Sequence, residues 1–115
     1  MKETNKTTIN VKELINLIRE TAIKCYGVVS IASKENVFDD VLTQLTKKGK
    51  MEEGIFVKRK SGGTFAVNIY LVLANGIKIT EALRECQKSI EHTLKKTYPN
   101  SIRQVNVFAE HISIN

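Results

Sequence analysis

The chain has 115 residues, 42% of them hydrophobic, and 18 Lys and Arg against 12 Asp and Glu give it a formal charge of +6. That length implies one domain able to bury a real core, and no apolar run approaches the ~20 residues that a helix needs to span a bilayer. The polar start, MKETNKTTIN, does not read as a signal peptide, so the expectation is a cytoplasmic protein that meets a membrane only at its surface or through a partner.

Residues 1–8 are read as a flexible N-terminus or a short edge strand, and residues 9–115 as a single domain. The first clear element is NVKELINLIRETAIKCYG. Val11, Leu14, Ile15, Ile18, Ala22 and Cys25 recur at helical spacing, so one face is apolar. Asn10 is a suitable N-cap, because its side-chain oxygen can accept an otherwise unpaired amide. Glu13, three residues on, can complete a capping box. Gly27 tolerates positive φ and is read as the helix stop. The β-branched run that follows predicts a buried strand over Val28 to Ala32.

SKENVFDDVLTQLTKKGK is read as a second, shorter helix with Phe38, Val41, Leu42 and Leu45 on one face. Its acidic start and basic end suit the macrodipole. A hairpin follows, with GIFVKRK and TFAVNIYLVLA flanking the turn signal SGG. In its second strand Phe65, Val67, Ile69, Leu71 and Leu73 share a face. Ala66, Asn68, Tyr70, Val72 and Ala74 share the other. A strand partly apolar on both sides is expected at the centre of the sheet. The long last helix has Ile79, Ala82, Leu83, Cys86, Ile90 and Leu94 as its core stripe, and Pro99 ends it. QVNVFAEHISIN is the closing strand, with Val105, Val107 and Ala109 expected on one face and Phe108, Ile112 and Ile114 on the other.

The order is therefore (β)αβ-α-ββαβ. It predicts an α+β two-layer fold: a small mixed β-sheet with helices packed mainly on one face.

The residues offer no catalytic constellation. His92 and His111 are far apart in sequence and read as surface groups. Cys25 and Cys86 form no CxxC pair, and both fall on apolar helix stripes, where a thiol serves as a small hydrophobe. Glu52 and Glu53 are adjacent, which suits a solvated turn better than an acid/base pair. Gly62 and Gly63 mark a hairpin tip and lack the strand-to-helix setting of a phosphate loop. The expectation is a protein with no metal, no cofactor and no enzymatic activity. A basic run remains: Lys47, Lys48, Lys50, Lys58, Arg59 and Lys60. It can serve an RNA or single-stranded nucleic acid, or simply solvate a hairpin edge against unwanted pairing. Phe65 and Tyr70 lie on opposite faces, which does not fit the paired aromatics of an RNA-recognition motif.

Four blocks in order carry a family resemblance: YGVVSIAS, GIFVKRKSGGTFAVNIYLVLANGIKITEAL, LRECQKSIEHTLKKT and VNVFAEHI. Together they resemble the alkaline shock protein family, the YloU-like envelope stress response group of low-GC Gram-positive bacteria. Thr80 stands where the family has a proline at the last helix entry, and Tyr98-Pro99-Asn100 replace its glycine. The resemblance implies a non-enzymatic protein tied to cell-envelope stress, with no cofactor, that self-associates and reaches the cytoplasmic membrane through a membrane-protein partner. The candidate self-association surface is Ala66, Tyr70 and Val72 with Phe108, Ile112 and Ile114. The alternative is nucleic-acid binding through the Lys47 to Lys60 region.

Overall fold

Asn10 opens the first helix. In the computed structural model, which describes residues 9–33 and 49–113 (49–51 and 111 by backbone alone), its Oδ1 accepts the amides of Lys12 and Glu13 at 2.9 and 3.2 Å. Two amides that have no partner within the helix are thereby satisfied. Helix α1, Val11–Ala22, buries Leu14, Ile15, Ile18 and Ala22. It stops at Ala22 with Ile23 as its cap, several residues short of the expected Gly27. Gly27 has a different task. Its φ is +84°, and a Cβ there would run into the Ile77 side chain and lie 3.5 Å from the Ala82 Cβ. Glycine lets the turn press against the entry to the last helix.

The strands are β1 Val28–Ile31, β2 Gly49–Glu52, β3 Ile55–Lys60, β4 Thr64–Leu73 and β5 Ile102–Ile112, and the second described helix is α2, Ile79–Thr97. The expected helix over Phe38 to Leu45 lies outside the described residues, as do residues 1–8. The short strand β2, not read from the sequence, pairs antiparallel with β3.

β4 is the hub. β5 runs parallel to it along one edge, from Phe65↔Ile102 to Leu73↔Ile112. Its other edge is shared. β3 pairs antiparallel with residues 64–69 and β1 with residues 71–73. The two meet at Tyr70, whose N–H donates to Gly54 O and whose carbonyl accepts from Ala32 N, both at 2.8 Å. Gly54 must be glycine for this seam to close, because a Cβ there would lie 2.8 Å from the carbonyl oxygens of both Ala32 and Tyr70.

Directly paired residues point to the same face. One face of the sheet thus carries Phe65, Val67, Ile69, Leu71 and Leu73 with Ile55, Val57, Val105 and Val107, and these join Leu14, Ile15, Ile18, Cys86, Ile90 and Leu94 of the helices in one buried cluster. The helix α2 that crosses from β4 to the parallel β5 lies beside α1 over this face, as a parallel connection requires. Ile79 is exposed in the first turn of α2, so the buried stripe begins at Ala82. Tyr98, just past the end of α2, packs against the same cluster, and burial, with a smaller contribution from Glu13, pushes its phenol up. The result is a two-layer α+β fold with a five-stranded mixed sheet.

Candidate functional site

The second sheet face alternates with the buried one along β4. Ala66, Asn68, Tyr70 and Val72 stand on it, beside Gln104, Asn106 and Phe108 of β5 in the parallel register. The Tyr70 and Phe108 rings stack with centroids 5.0 Å apart and 21° between their planes. Next to them Asn106 Nδ2 donates to Asn68 Oδ1 at 3.0 Å. The amide pair satisfies two half-buried polar side chains and holds the strands in register. Phe108 is 41% exposed, while Tyr70 and Val72 are half-buried. Burial pushes the Tyr70 phenol up, and the Glu110 carboxylate pushes it the same way.

The face is not open throughout. Phe56, which pairs with Asn68, is 2% exposed, and Ala66 is 9% exposed. Ala66 is therefore sheltered and offers little to a partner. Ile112 is also displaced from the expected surface. Between Ala109 and His111 the register shifts by one residue, leaving Glu110 as the extra one. A bulge reverses which side later residues face. Ile112 consequently lies opposite Leu73 and packs against the core, although it has the same parity as Phe108. Ile114 lies outside the described residues. Of the expected surface, Tyr70, Val72 and Phe108 come together. Asn68, Asn106 and Glu110 join them, and the shared parity of 106 and 108 was the signal for the first two.

The basic run divides. Lys58 and Lys60 pair with Ala66 and Thr64 on the second face. Arg59 pairs with Phe65 on the other, its Cζ 4.9 Å from the ring centroid, close enough for a cation–π contact. Lys50 is placed by its backbone opposite Val57, and Lys47 and Lys48 lie outside the described residues. The structure adds a cation that sequence reasoning missed. Arg103 is the extra residue of a second register shift, between Ile102 and Gln104, and its Nη1 donates to Ser61 Oγ at 3.2 Å. The end of α2, with Lys95 and Lys96 in its last turn, leads into the same region, where Phe65 N donates to Ser101 O.

At the opposite end a depression of about 420 Å³ is lined by Tyr26, Gly76, Ile77, Lys78, Glu81, Ala82 and Glu85. Tyr26 is 77% exposed, and the depression opens to solvent. Glu52 ends β2 and Glu53 begins the turn to β3, and both carboxylates lie within 3.5 Å of Arg19; such partly solvated pairs add little stability. Among the described residues no group of three or more His, Cys, Asp or Glu is placed to hold a metal ion, and no helix is long and apolar enough to cross a membrane.

The chain is similar to known proteins along its length. The model of the alkaline shock protein 23 family, described as having a cell envelope-related function, matches residues 1–114. An uncharacterized protein of Bacillus subtilis strain 168, YloU, is 29% identical over 93 residues, covering 81% of this chain and 76% of its own. A second, Spy1614 of Streptococcus pyogenes serotype M6, is 27% identical over 101 residues, covering 88% and 82%. Among solved structures, the MamM CTD matches with a TM-score of 0.55 at 13% identity, over 90% of this chain and 96% of the other. At that identity the likeness is one of fold.

Proposed function

The chain belongs to the alkaline shock protein 23 family, and from that premise we propose that it is a non-enzymatic scaffold that self-associates and reaches the cytoplasmic side of the envelope through a partner protein. The observation that carries this reading is the stacked Tyr70–Phe108 pair on the sheet face away from the helices, with half-buried Val72 alongside. Aromatic side chains whose apolar rings remain in reach of solvent are the usual anchors of protein contacts. The sheet face suits this role better than the sheet edge. β5 carries two register shifts, and bulges with charged residues such as Arg103 and Glu110 hinder strand-to-strand pairing.

The test is the oligomeric state, by sedimentation or light scattering across protein concentration. Assembly is expected at high concentration. Tyr70→Glu should weaken it by about 100-fold or more, since the new charge would lose its water in the contact. A mass that stays monomeric at every concentration refutes the scaffold reading.

A second reading rests on Arg103, which brings another cation to the hairpin tip beside Lys58 to Lys60. It is binding of RNA or single-stranded DNA at this basic end. Its affinity should fall steeply with salt, and failure to retain any nucleic acid at low salt removes it.

A further inference from the structure

Two thiols far apart in the sequence pack into the same core cluster. Cys86 lies in the middle of α2, fully buried in the core cluster. Cys25 lies in the turn after α1, partly buried and packed against that same cluster. The backbone brings them together. Gly27, two residues past Cys25, presses on Ala82, which is one helical turn before Cys86 on the same side of α2. The Cys25 Sγ contacts Thr21 O at 3.4 Å, and the Cys25 thiol lies close enough to Cys86 to push its ionisation up. Both are free thiols.

We propose that Cys25 and Cys86 form a redox-responsive dithiol, with Cys25 as the entry thiol and Cys86 as the resolving thiol, that closes into an intrachain disulfide on meeting a low-molecular-weight disulfide. The exposure of the two sulfurs sets the order. Cys25 as thiolate attacks one sulfur of the reagent RSSR; a bond forms between Cys25 Sγ and that sulfur, the RS–SR bond breaks, and RS⁻ leaves to take a proton. The Cys86 sulfur then attacks Cys25 Sγ. The mixed disulfide breaks, a second RS⁻ departs, and the Cys86 proton passes to it or to solvent. Two protein thiols are oxidised and one RSSR is reduced to two RSH. Burial pushes the Cys86 thiol well up, and the neighbouring Cys25 adds to this. Buried Cys86 is therefore the weaker nucleophile of the two, and the second step is the slower. In a reducing compartment the pair stays open. The closed form ties the turn after α1 to the middle of α2.

The test uses the full chain, reduced and free of thiol reagent, with 5,5′-dithiobis(2-nitrobenzoate) as the disulfide. The expected result is release of about two equivalents of thionitrobenzoate, the second later than the first, and a product of mass about 2 Da below the reduced chain. Cys86→Ala should release about one equivalent and keep the mixed-disulfide adduct. Cys25→Ser, a change at the half-buried position, should lose the fast release. Native protein that retains one or two adducts without the loss of about 2 Da overturns the proposal. So does a Cys25→Ser chain that reacts as fast as the native one, or a disulfide found only between chains.

Discussion

Replacing Gly54 by alanine tests the seam on which the sheet depends. The added Cβ would sit 2.8 Å from the carbonyl oxygens of Ala32 and Tyr70, and both are backbone atoms that cannot swing aside. Each must retreat by about half an ångström, which stretches two hydrogen bonds now at 2.8 Å, Ala32 N to Tyr70 O and Tyr70 N to Gly54 O. Overpacking of this kind costs about 1–3 kcal/mol, and weakening two buried bonds adds about 1 kcal/mol. A loss of about 3 kcal/mol is expected. With an unfolding entropy of about 2.1 cal/mol/K per residue over 115 residues, that lowers Tm by about 12 °C. Gly62→Ala is the control. Gly62 has φ +75° with nothing within 4 Å of a new Cβ, so it carries backbone strain alone. Part of that strain is offset by the stiffer unfolded chain, for a net loss of about 1 kcal/mol and about 4 °C. Thermal unfolding by circular dichroism reads both. If Gly54→Ala costs no more than Gly62→Ala, then β1 and β3 do not share the β4 edge at Tyr70.

Two further predictions concern the alkaline limb and the first cap. The folded Tyr70 phenol ionises above its ordinary value near 10 because burial and Glu110 oppose its charge. The unfolded chain therefore gives up its proton first, and the stabilisation present below about pH 10 fades as pH rises through the folded pKa. Tyr70→Phe should remove one late-ionising phenol from the absorbance titration at alkaline pH and flatten that loss of stability; an unchanged titration would contradict the placement of the ring. Asn10→Ala removes the acceptor for Lys12 N and Glu13 N, and should cost about 1 kcal/mol in urea unfolding with the m-value unchanged.

Hydrophobic period and local chemistry made most of the elements legible. A helical repeat from Val11 to Ala22, an alternation from Phe65 to Leu73 and the turn glycines at 62 and 63 depend on neighbours a few residues away, and the structure has these elements close to where they were read. The four sequence blocks also sufficed to place the chain in its family, which the match over residues 1–114 bears out. The helix end was misread because Gly27 looks like a stop from its type alone, whereas its positive φ serves a close approach to Ile77 and Ala82.

Short-range pattern determined where α1, α2 and the long strand β4 lie and which of their stripes are greasy, because those properties follow from the spacing of side chains along one segment; it missed β2 and expected β1 to be buried, whereas Val29 is exposed. Tertiary structure decided the rest. Parity in the sequence puts Phe108 and Ile112 on one side, but the bulge at Glu110 turns Ile112 inward to Leu73. No local signal sets Cys25 beside Cys86, or Arg103 against Ser61. Each of these pairings joins segments tens of residues apart, and its position depends on strand register and on how α1 and α2 lie over the sheet. Those are settled only when the whole core closes at once.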